Sequence, residues 1–136
     1  MNTALLVDSG ALLAMIDAGD KYHASAAAFV QSDRASKFHV PETVFIETMV
    51  LVKARLGAQA AVELGMRLTN STWFVMLPWT RAERQATWQI FSRYTDKNWS
   101  YVDCSLLAAA RRLRISEIFT FDQYFDQMPE VKRVPG

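Results

Sequence analysis

Short apolar runs separated by helical stretches set the tightest limit on how this chain can fold. Residues 3–7 (Thr-Ala-Leu-Leu-Val) are apolar without alternation and are bounded by Asp8-Ser9-Gly10, the signature of a strand buried on both faces. Lys37–Val40, Trp73–Leu77 (ended by Pro78) and Glu117–Phe121 read as further strands, and Val131–Val134 is a candidate fifth. The intervals read as helices. Residues 10–17 form a short one broken at Ala18-Gly19-Asp20, and a second starts near Lys21 with Tyr22, Ala26, Phe29 and Val30 on one face. Pro41 suits the first turn of a helix that carries Val44 to Arg55 and stops at Gly57, and another spans roughly 58–69. Thr80 caps a helix in which Ala82, Ala86, Ile90 and Tyr94 recur every four residues. After the loop Thr95–Trp99, Ser100 caps a helix with Val102, Leu106, Ala109, Ala110 and Leu113 inward.

Strands alternating with helix pairs give an α/β fold. Its right-handed crossovers build a mostly parallel sheet of four to five strands, covered on both faces. In such sheets ligands bind beyond the carboxyl ends of the strands. Asp8 and Asp122 both follow strands, so both are expected at that edge.

Size and composition bound the partners. A chain of 136 residues suggests one domain over 1–136, able to bury about two-thirds of its unfolded surface without disulfides. A net charge of +1 excludes a protein that holds nucleic acid by bulk charge alone. The single cysteine, Cys104, forbids an intrachain disulfide and fits a reducing compartment. There is no basic segment followed by a long apolar run and a cleavage site, and no apolar run of about 18 residues. A cytoplasmic protein without a membrane span is the expectation.

Four acids sit beside apolar stretches: Asp8 after Leu5-Leu6-Val7, Glu47 after Val44-Phe45-Ile46, Asp103 after Tyr101-Val102, and Asp122 after Ile118-Phe119-Thr120-Phe121. A carboxylate is costly to desolvate there unless positive charge compensates it. If the four converge, a hard divalent cation is the natural compensator, and metal-dependent hydrolysis of a phosphodiester the natural chemistry. Each acid also has a plainer reading. Asp8 could cap the following helix, Glu47 could reach solvent from a boundary position, Ser100-x-x-Asp103 resembles a capping box, and Asp122 could begin a turn. Glu42 reads as a first-turn acid favoured by the helix dipole, and Asp96 as structural or at a pocket rim. His23 and His39 lack a metal-ligand pattern, and Cys104 reads as a core filler.

Three stretches carry a family resemblance. Leu6-Val7-Asp8-Ser9-Gly10-Ala11-Leu12-Leu13-Ala14 resembles the first motif of PIN-domain proteins. Trp99 to Ala108, with its polar cap and helix-start Asp103, resembles their central motif, and Ile118 to Phe125 their closing one. The compact size is similar to that of VapC-type toxins from bacterial toxin–antitoxin pairs. The resemblance implies a three-layer α/β/α sandwich and a metal-dependent endoribonuclease. It places the family's acids on Asp8, Glu47, Asp103 and Asp122, with Glu42 a rival for the second and Asp126 for the last. It also implies a homodimer and a small antitoxin partner.

On this reading the four acids hold one or two Mg²⁺ or Mn²⁺ ions, with Ser9 and Asp126 as auxiliary groups. Arg93, Lys97, Arg111, Arg112 and Arg114 are candidates for a basic rim that holds RNA, and Trp99 and Tyr101 for base stacking. A solvated helix face and an ordinary core explain the same residues. Three alternatives stand: a non-toxin RNA-processing nuclease of the same fold, a catalytically silent interaction domain, and a phosphotransferase using Asp8 as nucleophile. For the last, Gly10 stands where a dehalogenase-like site would want a second Asp.

Overall fold

The structure is a computed structural model that describes residues 4–32 and 36–135. In chain order it contains β1 (Ala4–Val7), α1 (Ser9–Ile16), α2 (His23–Ser32), β2 (Lys37–Pro41), α3 (Glu42–Leu56) and α4 (Ala58–Asn70). These are followed by β3 (Phe74–Leu77), α5 (Arg81–Arg93), α6 (Tyr101–Leu113), β4 (Glu117–Phe119), a 3-10 turn (Gln123–Gln127) and β5 (Lys132–Val134). Thr3, expected in the first strand, lies outside the described residues.

The five strands form one sheet in the order β3-β2-β1-β4-β5, and every pairing is parallel. The sheet is therefore wholly rather than mostly parallel among the described residues, and the candidate fifth strand is real. Two crossovers step from β1 out to β3, and the next jumps back across β1 to β4. Right-handed connection then puts α1 to α4 on one face and α5 with α6 on the other. The reversal at β1 opens a crevice beyond the carboxyl ends of β1 and β4, where side chains from several elements can meet.

The core explains why β1 reads as an unbroken apolar run. Leu5, Leu6 and Val7 are almost fully buried, as are Phe38, Val40, Ile118 and Phe119 on neighbouring strands. Phe29 from α2 lies against Phe119 at 4.8 Å and Phe38 at 6.3 Å, locking that helix to the sheet. Leu106, Leu107 and Ala109 of α6 are equally buried.

Two boundaries differ from expectation. Pro41 is not in the first turn of α3. It ends β2, paired in register with Leu77, and holds the cap position with ψ 147. Its missing N–H costs nothing there either, because it stands at the end of a ladder. β4 stops at Phe119 rather than Phe121, since Thr120 turns to bond Asp8 and Val134. Asp122 thus stands three residues past the strand, as the cap of the 3-10 turn. Among the described residues, no helix is long and apolar enough to cross a membrane.

Candidate active site at the carboxyl edge of the sheet

Asp8 is the first residue beyond β1. Its extended backbone (φ −90, ψ 154) makes it the N-cap of α1. One carboxylate oxygen accepts the Ser9 N–H at 2.8 Å and the other accepts the Thr120 hydroxyl at 2.9 Å. Asp103 occupies the third position of α6 in a complete capping box. The Ser100 hydroxyl accepts the Asp103 N–H at 3.0 Å, and Asp103 Oδ2 accepts the Ser100 N–H at 2.9 Å. Asp122 caps the 3-10 turn through the Tyr124 N–H at 2.9 Å. Glu47, in the second turn of α3, accepts a hydrogen bond from the Ser9 hydroxyl. One turn earlier, Thr43 bonds Ser105 of α6 at 2.6 Å, pinning α3 to the helix that carries Asp103.

All four acids line a single cavity of about 520 Å³, together with Ser9, Leu13, Leu51, Arg55, Asn98 and an aromatic wall. Electrostatics report the same convergence. Burial, then repulsion from Asp103, pushes the Asp8 carboxyl up to about 7, against the pull of the Thr120 and Ser9 hydrogen bonds. Burial also raises Asp103 to about 6, with Asp122 and Glu47 adding repulsion. Among the described residues, no Lys, Arg or His forms an ion pair with any of the four.

The donor set is all oxygen, anionic and uncompensated, which suits a hard cation and not zinc. Among the described residues no three acidic, His or Cys side chains already stand close enough together to hold an ion.

The two rivals point elsewhere. Glu42 accepts the Trp79 N–H at 3.1 Å and does not line the cavity. Asp126 is gripped by Arg133 through two bonds of 2.8 and 3.0 Å on the exposed side of the 3-10 turn and does not line the cavity. Ser9 is at the site, with its hydroxyl committed to Glu47.

The expected basic rim is not there. Arg111 pairs with Glu130 and Arg112 with Glu83, both at 2.7 Å, and with Arg93 they line a separate groove formed by α5 and α6. Lys97 and Arg114 do not line the acidic cavity either. Among the described residues the arginine that lines it is Arg55, missed in the sequence reading although Glu47, Leu51 and Arg55 recur at the four-residue spacing of one helix face. Trp99 is core, packed on Tyr94 at 5.1 Å with its indole N–H on Gln127. Tyr101 packs on Phe91. The aromatics of the cavity are Tyr22, Phe121 and Tyr124. His23 and His39 bond the carbonyls of Ala14 and Lys37, away from the acids. Cys104 is buried, does not line the cavity, and burial pushes its thiol up to about 11.

Known proteins share this architecture. Ribonuclease VapC26 of Mycobacterium tuberculosis (strain ATCC 25618 / H37Rv) is 28% identical over 119 residues, spanning 88% of this chain and 87% of that protein. The crystal structure of Mycobacterium tuberculosis VapC20, described as a sarcin–ricin loop cleaving toxin, superposes with a TM-score of 0.84 at 24% identity. It covers 92% of this chain and 95% of its own. A toxin–antitoxin complex from Klebsiella pneumoniae superposes at 0.68 with 16% identity, covering 94% and 95%. The PIN domain family profile matches residues 5–131, and the chain belongs to the PIN-domain family.

Proposed function

We propose that this chain, acting as a single domain in the cytoplasm, is a metal-dependent endoribonuclease and the toxin of a bacterial type II toxin–antitoxin pair. The observation that carries this reading is the meeting of Asp8, Glu47, Asp103 and Asp122, from four separate elements, around one cavity with no cation paired to them. The likeness to a ribonuclease supports RNA as substrate, and the likeness to a toxin–antitoxin complex supports a small antitoxin. Ile46, Val50, Val62 and Met66, each 57–65% exposed on α3 and α4, leave apolar surface for a protein partner, either that antitoxin or a second copy in a homodimer.

Asp8, Glu47, Asp103 and Asp122 would hold one or two Mg²⁺ or Mn²⁺ ions. Bound there, the ion would lower the pKa of an attacking water and neutralise charge developing on the phosphate. The protein's own part is positioning. Thr120 and the Ser9 N–H fix the Asp8 carboxylate, Ser100 fixes Asp103, and the Ser9 hydroxyl orients Glu47. Arg55, across the cavity, supplies positive charge for a phosphodiester. Leu13 and Leu51 give the cavity an apolar wall beside the acids.

Purified protein incubated with bulk RNA and Mg²⁺ or Mn²⁺ should cut it and stop on addition of EDTA. Asp8→Asn should abolish cutting and keep the circular dichroism spectrum of the wild type. Cutting by Asp8→Asn at the wild-type rate would sink the scheme. Growth arrest on expression in a bacterial host, relieved by a small neighbouring protein, separates a toxin from an RNA-processing nuclease.

A further inference from the structure

One wall of the acidic cavity is aromatic. Tyr22, between α1 and α2, lies flat on Phe121 with centroids 4.5 Å apart and an interplanar angle of 1°. Phe121 is braced edge-on by buried Phe119 at 5.9 Å. Tyr124, 42% exposed, stands on the same cavity, and its backbone N–H holds Asp122. Tyr22 is itself 37% exposed, and the flexible Lys21 ammonium sits 5.0 Å from its ring centroid. The rings are thus tied through Phe121-Asp122-x-Tyr124 to one of the acids. Tyr22 and Tyr124 both keep ring surface open toward the cavity, which a planar group can cover.

We infer that the Tyr22–Phe121 stack, with Tyr124 beside it, is a stacking subsite for an unpaired nucleobase next to the scissile phosphodiester. The inference rests on the ribonuclease reading and deepens it, because it assigns particular rings of this chain to the base beside the cut. A base inside a duplex has both faces occupied by its neighbours and cannot reach the wall; a splayed base can. The braced ring stack offers a rigid platform, and stacking on it is tolerant of base identity because every base has a π-face.

The test uses an oligoribonucleotide spanning a cut made by the wild-type protein, with 2-aminopurine beside the cut. Binding is read by fluorescence in the Asp8→Asn protein, where cleavage does not interfere. Quenching on binding is expected. It should be retained in Asp8→Asn/Tyr22→Phe, lost in Asp8→Asn/Tyr22→Leu, and absent when the oligonucleotide is annealed to its complement. In the active protein, Tyr22→Leu should raise KM roughly tenfold with kcat little changed, because stacking of one base contributes on that order. A wild-type protein that cuts RNA while Tyr22→Leu leaves both quenching and KM unaltered overturns the subsite and leaves the nuclease reading standing. A wild-type protein that cuts no RNA removes both.

Discussion

Thr120 donates its hydroxyl to Asp8 at 2.9 Å across 112 residues of sequence, joining the ends of β1 and β4 at the floor of the acidic cavity. Both residues are buried. That bond is one of two that draw the Asp8 carboxyl down while burial and Asp103 drive it up to about 7.

Replacing Thr120 with valine keeps the shape and removes the donor. A hydrogen bond to a charged group contributes about 1.5–3 kcal/mol, and one pKa unit corresponds to about 1.36 kcal/mol. Without added cation, the Asp8 midpoint in a carboxyl-carbon NMR titration should rise by about one unit in Thr120→Val. The acidic limb of cleavage should move to higher pH in the same direction, because the ionised carboxylate is the working form. An unmoved midpoint would show that the bond does not stabilise the anion.

Asp8 also ties stability to pH. Its folded pKa of about 7 lies above the ordinary 3.8, so between those values the folded state binds the proton more tightly than the unfolded one. Stability is then highest below about pH 4 as far as this group is concerned, and falls as pH rises through 7. Asp103, raised to about 6, acts in the same direction. The penalty from Asp8 has an upper bound of about 4 kcal/mol, from three units at about 1.36 kcal/mol each. In EDTA, urea unfolding should find Asp8→Asn more stable than wild type at pH 8, with the gap shrinking at pH 5. A divalent cation at pH 8 should stabilise wild type and leave Asp8→Asn largely unaffected. Equal wild-type stability at pH 5 and 8 in EDTA would contradict the burial of an uncompensated charge.

The sequence disclosed the sheet because its strands are buried and its helices carry punctuation: Gly57 after α3, Thr80 before α5, Ser100 before α6. It also singles out the four acids that the fold gathers around one cavity, although each has a plainer reading as a cap or boundary residue. For Asp8, Asp103 and Asp122 the capping reading holds. A carboxylate has about four acceptor sites, so one that caps a helix N-terminus keeps others free, and the cap fixes its aim. Thr120 escaped notice, yet a hydroxyl between Phe119 and Phe121 had to find a partner once buried. Nearness in sequence to Asp103 offers Trp99, Tyr101 and the arginines of α6 as candidates, but the aromatic and basic side chains that line the cavity come from α3 (Arg55), the segment before α2 (Tyr22) and the segment after β4 (Phe121, Tyr124).

Arg55 and Arg111 therefore make opposite predictions. Arg55 lines the cavity and, among the described residues, forms no ion pair, while Arg111 is bonded to Glu130 on another face. Arg55→Ala should lower kcat/KM on RNA by roughly tenfold, the loss of one charge-assisted phosphate contact. Arg111→Ala should stay within a factor of two or so. Steady-state cleavage of one RNA by both variants decides it, and equal losses would indicate a diffuse electrostatic effect instead.

The rivalry among the acids yields the sharpest contrast. Glu47 takes the Ser9 hydroxyl inside the cavity, Glu42 takes the Trp79 N–H outside it, and Asp126 is neutralised by Arg133. Arg133 holds the Asp126 carboxyl below its ordinary range, mainly through their hydrogen bond, so it is a charge already satisfied. Glu47→Gln should keep the Ser9 contact and the fold, yet remove one negative charge from the proposed cation site. Removing even a supporting group from a metal site costs roughly 10–100-fold, so RNA cutting by Glu47→Gln should fall on that scale. Glu42→Gln and Asp126→Asn should cut RNA within a few-fold of wild type. Cation titration followed by calorimetry supplies a second measure, with affinity weakened only in Glu47→Gln. If Glu42→Gln were the inactive variant, the second acid of the site would have to be reassigned, and the Ser9–Glu47 bond would be left with a purely local role at the start of α1.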